Sequence, residues 1–387
     1  MAVGSNTRKR IGVIDGLRGL AIALVVYFHV FINFTPPGYH TLWLGDVEIH
    51  PFSLLANGWV GVNLFFVDSG FVLFLPFASH ERRIASWADV RYLYVRRAWR
   101  LLPLYYTILI GGLMLSWIKN QWEYVTLAEV VSCLTFTFPF HPSTWVPTSN
   151  MVLWSLGVEV WFSLLFPLFV LAIARFGIWR FLVIAFMTAT LTRFAAYRYC
   201  IGDIESPYLN VLADSLFGRI DNFALGMMVA VLYRRGIITK LRPFLVGSSA
   251  LGGTILVWYA TSQWDTYYFS KQGLWAPIAG NILINIGCSL LLMGVLGSQG
   301  FLKRIFEISL IRWAGIGCYS LYLVHGMLLP FLIGHRFSVV YNLFFLIVIA
   351  SMSVLTYHLI EKPTMDRGRC LSKTFPRFLF GKRVFCF

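Results

Sequence analysis

Three ionisable side chains interrupt an otherwise apolar run near the start of the chain, IGVIDGLRGLAIALVVYFHVFINF from Ile11 to Phe34: Asp15, Arg18 and His29. Ionisable groups inside a run long enough to cross a bilayer are costly unless they face a protein interior or a wet cavity, which makes them candidates for chemistry. Arg18 and His29 are eleven residues apart. At about 100° per residue they return to nearly the same helix face, roughly 16 Å apart along the axis. One face therefore offers a cation near its start and an imidazole deep inside, and an imidazole titrates close to neutrality, as a general base must. The other reading of each is ordinary: Asp15 and Arg18 snorkelling at the interface and His29 as a satisfied core histidine.

Comparable residues recur downstream. Asp68 lies within a second apolar run and needs a cation, either Arg18 or a protonated His29, unless it is protonated in a structural hydrogen bond. Arg97 and Arg100, in YLYVRRAWRLLPLYY, share a face if the helix has already begun there, and guanidinium groups bind phosphate through paired charge-assisted hydrogen bonds. Glu159 in WSLGVEVWF falls at a depth where it could meet His29 and fix the imidazole tautomer. Tyr322 and His325, in CYSLYLVHGMLLP, share a face, and His325 is a second candidate base or an orienter of a substrate hydroxyl. Asp214 and Asp221 are seven apart with Arg219 nearby, which points first to a buried ion pair and second to a channel. His141 and Trp145 could line an acceptor path, although aromatic residues in such a loop more often form an interfacial belt.

Membrane helices must position these residues. Hydrophobic residues make up 58% of the 387 and charged residues 13%, with a mean hydropathy of +0.70, far from a soluble composition. The pattern predicts an all-α polytopic integral membrane protein with about ten spans, near 11–34, 54–77, 101–118, 151–174, 178–197, 210–232, 244–261, 275–296, 311–333 and 338–360. The net charge of +15 does not indicate nucleic acid, because Lys and Arg alternate between loops: 78–100 carries six Arg and 35–53 carries neither. That asymmetry predicts cytoplasmic termini. MAVGSNTRKR shows no cleavage site after a short apolar core, so the first span reads as retained. We read residues 1–361 as one membrane domain and 362–387 as a basic, aromatic cytoplasmic tail, lying along the inner leaflet or simply solvated. No stretch between spans has the length of a second folded domain. Six scattered cysteines without CxxC give neither a metal site nor a disulfide framework.

DGLRGLA followed by His29 resembles the opening of the bacterial membrane acyltransferase family three, the O-antigen, exopolysaccharide and nodulation-factor O-acyltransferases. The resemblance continues over most of the chain. NGWVGVNLFFVDSGF is similar to the family's GxxGVxxFFxxSGF through Gly58, Gly61, Phe65, Phe66, Ser69, Gly70 and Phe71, with Asn63 in place of a common Asp and Asp68 in place of an apolar residue. Arg97 and Arg100 match the family's RxxR, followed by Tyr105 and Tyr106. WSLGVEVWF resembles WSLxVExxF through Trp154, Ser155, Leu156, Val158, Glu159 and Phe162, with Val160 replacing a second carboxylate. GRIDNFALG resembles GRxDxFxxG, CYSLYLVH resembles YSxYLxH, and HLIEKP resembles the end of the last span, with Glu361 and Pro363 marking the helix stop.

The resemblance implies O-acylation of a carbohydrate hydroxyl by an acyl donor, usually acetyl-CoA, in the bacterial inner (cytoplasmic) membrane. Together the candidates are His29, Glu159, Asp68 and His325 for catalysis, Arg18, Arg97 and Arg100 for acyl-CoA, and Asp15, Tyr322, Trp154 and Asp221 for the acceptor, with no metal. His29, oriented by Glu159 or Asp68, either deprotonates the acceptor or is itself acylated first. O-antigen lipopolysaccharide, exopolysaccharide, lipid-linked oligosaccharide, peptidoglycan and a macrolide all stay open as acceptors. A transporter would also place charges within spans, but matching halves and interrupted helices are not evident in the sequence.

Overall fold

Runs of apolar residues longer than the bilayer core become helices, because lipid offers backbone N–H and C=O groups no other partner. The computed structural model describes residues 11–34, 42–44, 47–119, 124–199, 210–270, 275–332 and 338–378. Its helices in chain order are α1 (Gly12–Phe34), α2 (Ser53–Ala56), α3 (Val60–Ala78), α4 (Trp87–Ile118), α5 (Leu127–Thr135), α6 (Leu153–Phe176), α7 (Ile178–Tyr199), α8 (Leu216–Arg234), α9 (Pro243–Ser270), α10 (Trp275–Gly297), α11 (Gly300–Phe306), α12 (Ser309–Ile316), α13 (Cys318–Leu332), α14 (Val339–Thr356) and α15 (Lys362–Phe378). One short antiparallel hairpin, β1 (Leu42–Leu44) with β2 (Val47–Ile49), pairs Trp43 with Glu48. Among the described residues nine helices are long and apolar enough to cross a membrane, and α12 and α13, bent by 72° at their junction, are so only as a pair, which brings the number to ten when the pair is counted as one span. The chain is thus an all-α multi-pass membrane protein.

Several boundaries differ from the expected ones. The third span starts at Trp87 rather than near 101, so the Arg-rich segment is already helical and Arg97 and Arg100 do share a face. Asp89 promotes this start by accepting a hydrogen bond from the Ser86 backbone N–H at 2.9 Å. The ninth span is broken at Gly317 instead of straight. α8 begins at Leu216 behind the N-cap Ser215, so Asp214 precedes the helix and does not share a helix face with Asp221. The last span does not stop at Glu361 and Pro363. A π-helical turn over Tyr357–Glu361 carries it into α15, and Pro363 sits in the first turn of α15, where the wider turn tolerates its missing N–H. Gly368 of α15 lies against Trp99, which gives the start of the tail a protein partner on α4; 379–387 lie outside the described residues.

Close helix contacts use small residues, as bilayer packing requires. A Cβ on Gly16 or Gly19 would collide with the carbonyls of Phe306 and Ile311, so α1 lies directly on α11 and α12. Gly70 and Gly226 bring α3 and α8 backbone to backbone through Phe223 and Val67. The connection after α4 folds inward. Phe138 and Trp145 are both 0% exposed, and Gly157 of α6 admits Phe138 and Pro139. Trp145 is therefore core and not part of an interfacial belt, whereas His141 is exposed and bonds Ser143 at 2.8 Å.

Candidate active site

One cluster of charge inside the bundle surrounds a cavity between α1, α3, α4, α6 and α13. Arg18, Asp68, Arg100 and Glu159 line it. Arg18 Nε donates to Asp68 Oδ2, so of the two partners considered for Asp68 the structure uses Arg18. Asp68 Oδ1 has no hydrogen-bond partner among the described residues, which leaves one acceptor open. Arg97 stands behind the wall. Its Nη2 donates to Glu159 Oε1 at 2.7 Å, and its Nε donates to Ser163 Oγ at 3.0 Å. Ser69 adds a longer bond to Glu159, 3.3 Å. Arg100 makes no ion pair and no side-chain hydrogen bond among the described residues. Of the three guanidiniums Arg100 alone has no carboxylate in direct contact among the described residues, and it faces the cavity.

The histidines meet further along the same helices. Arg18 and His29 lie on α1, and Cys318, which also lines the cavity, and His325 lie on α13. The rings of His29 and His325 are 5.2 Å apart, so α1 and α13 run side by side in one direction. His29 Nδ1 lies 2.8 Å from the Val25 carbonyl, and His325 Nδ1 lies 3.1 Å from that of Leu321. A carbonyl oxygen only accepts, so each Nδ1 carries the proton and each Nε2 is the basic nitrogen of the neutral ring. His325 is 0% exposed and its Nε2 has no partner among the described residues, whereas His29 is part-exposed. Neither Glu159 nor Asp68 orients His29, contrary to expectation. Their oxygens lie with arginines, and the helix's own carbonyls fix both tautomers.

Tyr322 joins the two places. It lines the cavity, its ring lies 5.4 Å from that of His325, and its hydroxyl is 2.6 Å from Ser155 Oγ and donates to the Val152 carbonyl at 3.0 Å. α13 is held by Glu361, which accepts from the Ser320 backbone N–H at 3.1 Å and from its hydroxyl at 2.6 Å. The π-helical turn that was read as a helix stop thus places the carboxylate that clamps the first turns of α13.

The remaining sequence candidates lie elsewhere. Asp15 is buried beneath Gly315 of α12 and does not line the cavity. Trp154 stacks near Trp145, with ring centroids 5.9 Å apart. Asp221 is enclosed: Arg193 of α7 donates to both its oxygens at 2.9 Å, and Asn285 to Oδ2 at 3.0 Å. It ties α7, α8 and α10 together and does not line the cavity. Arg193 escaped the sequence reading although a charge within the span 178–197 marks it. Ser155 and Cys318 carried no signal as site residues beyond their neighbours. Among the described residues no group of His, Cys, Asp and Glu could hold a metal.

The family model described as an acyltransferase domain matches residues 11–361. YrhL of Bacillus subtilis (strain 168), whose name provisionally assigns it as a peptidoglycan O-acetyltransferase, is 23% identical over 401 residues, covering 96% of this chain and 57% of its own. The peptidoglycan O-acetyltransferase OatA of Listeria monocytogenes is 22% identical over 338 residues, 82% of this chain and 49% of its own. The O-acetyltransferase OatA of Staphylococcus aureus is 21% identical over 378 residues, 92% and 57% respectively. The chain spans about half the length of these curated relatives. No solved structure matches it.

Proposed function

The chain belongs to the acyltransferase family matched across residues 11–361, and from that premise we propose that it moves an acyl group, acetyl in the first instance, from cytosolic acyl-CoA to a hydroxyl of a cell-surface or lipid-linked carbohydrate. It does so in the bacterial inner membrane, with the charged end of the bundle towards the cytosol, as the basic loops favour. One observation carries the reading: a cavity lined by Arg18 and by Arg100, which no carboxylate contacts directly among the described residues, and a pair of histidines with basic Nε2 atoms lie in sequence along the parallel helices α1 and α13.

The donor supplies a thioester carbonyl and a thiolate leaving group. Arg100 holds its anionic portion, since Arg97 is engaged by Glu159 and Ser163. Arg18, fixed by Asp68, offsets negative charge that develops on sulfur. His29, the more accessible of the pair, takes the hydroxyl proton on Nε2 as the new C–O bond forms and the C–S bond breaks, then returns it to the thiolate. His325 accepts a hydrogen bond from the protonated ring. The acceptors named for two of the relatives make peptidoglycan the first fraction to assay, with lipopolysaccharide and exopolysaccharide beside it.

The test is acyl transfer by the purified chain in lipid, with radiolabelled acetyl-CoA and envelope glycan fractions. CoA release and labelled glycan are expected, both falling by about 10²–10⁴-fold in His29→Ala. Near-normal turnover in that variant removes His29 as the base, and no CoA release with any acyl donor sinks the donor assignment.

A further inference from the structure

Neither histidine lines the charged cavity, yet Tyr322 touches both places. Its ring stands edge-on to Phe65, with centroids 6.4 Å apart and planes at 76°. At that separation two rings are in contact, so no standing opening lies between them. Phe65 comes from α3 and Tyr322 from α13, and the latter is anchored to α6 by its hydroxyl: Ser155 Oγ at 2.6 Å and the Val152 carbonyl at 3.0 Å. A side chain tied at its tip to a neighbouring helix does not swing freely. We propose, resting on the donor reading above, that Phe65 and the Ser155-anchored Tyr322 form a septum between the donor cavity and the histidine pair and thereby select the length of the acyl group.

A donor seated at Arg100 presents its acyl end to this septum, and its acyl chain enters the Phe65–Tyr322 contact while the carbonyl stays on the cavity side, to be met there by a hydroxyl activated at the histidines. A two-carbon acyl group needs the smallest displacement of the rings. Each added methylene has to be housed between two aromatic faces fixed by packing and by the Ser155 bond. A snug apolar site discriminates by about 10- to 200-fold per methylene. The anchor matters beside the ring, because Ser155 shares with the Val152 carbonyl the task of holding Tyr322.

The experiment compares kcat/KM for acetyl-CoA, butanoyl-CoA and hexanoyl-CoA in the unaltered chain, in Phe65→Ala and in Ser155→Ala. The unaltered chain should favour acetyl over butanoyl by on the order of 100-fold or more. Phe65→Ala should bring that ratio within about tenfold and Ser155→Ala should narrow it by less, each by gaining on the longer donors and not merely losing on acetyl. General damage to the fold lowers all three donors together and leaves the ratio intact. Turnover with the ratio unchanged in both variants overturns the septum while leaving the donor reading standing. No turnover of any acyl-CoA by the unaltered chain overturns the donor reading, and the septum with it.

Discussion

Two clusters of buried charge sit inside the same bundle and behave differently. One is the cavity set, Arg18 with Asp68, Arg97 with Glu159, and Arg100. The other lies between α7, α8 and α10. There Arg193 and Asp221 pair through two bonds of 2.9 Å, Asn285 bonds both Asp221 and Asn63, and Arg219 bonds Asp214 and Asn281. Both clusters contain buried ion pairs, as intramembrane charge commonly does. In the second each guanidinium has its own carboxylate, the side chains are at most 5% exposed, and none of them lines the cavity. In the first Arg100 has no carboxylate in direct contact among the described residues and faces open space. Charge within a span is therefore a poor guide to chemistry by itself; an unmatched charge beside a void is the better one.

The contrast breaks most plainly through stability. Asp221→Asn leaves Arg193 charged and enclosed, and should cost about 3–5 kcal/mol, as removal of one partner from a buried pair does. Asp68→Asn makes the same chemical change beside the cavity and should cost much less in thermal unfolding while reducing acyl transfer. Equal losses of melting temperature would abolish the distinction between the clusters. Next in size, Arg100→Ala should lower kcat/KM for the donor by about 10- to 100-fold, the worth of a hydrogen bond to a charged group, with the melting temperature nearly unchanged. A change confined to the acceptor's KM would remove Arg100 from donor binding. Glu159→Gln should be milder, about 2- to 10-fold in kcat, since Arg97 keeps its bonds to Ser163. A loss as deep as that of His29→Ala would mean that the carboxylate takes part in the chemistry.

The smallest effect comes from a carboxyl that belongs to neither cluster. Glu129 on α5 has no ion pair among the described residues and accepts from Thr148 Oγ1 at 3.0 Å and the Ser149 N–H at 3.4 Å. Burial pushes it above its ordinary 4.5. A raised folded-state value means tighter proton binding when folded, so its contribution to stability is full below 4.5 and fades as pH climbs through the raised value. Melting temperature across that window should slope downward in the unaltered chain and be flatter in Glu129→Gln. Parallel slopes would show that Glu129 does not titrate there.

Much of this was legible in the sequence. Hydropathy located the crossings, because a bilayer leaves the backbone few choices, and residue type singled out Arg18, His29, Arg100 and His325. Pairings were not legible. Glu159 and His29 could be placed at similar depths by counting residues, but only rotation about each helix axis decides that Glu159 meets Arg97. The start of α4 was missed because Arg-rich sequence lacks the apolar signal yet readily continues a helix. Glu361 was read as the end of an element because proline usually stops one; a wide turn absorbed Pro363 instead and turned that carboxylate to Ser320.

The meeting of α1 with α13 also has a consequence in time. His29 leaves the ribosome about 300 residues before His325, a delay on the order of 15–60 s at ordinary rates of synthesis. During that interval the first crossing waits in the membrane, with Asp68 arriving early enough to neutralise Arg18 but without the helix that completes the imidazole pair. A nascent or prematurely terminated chain therefore lacks the histidine pair, which is assembled only when nearly the last helices have been laid against the first.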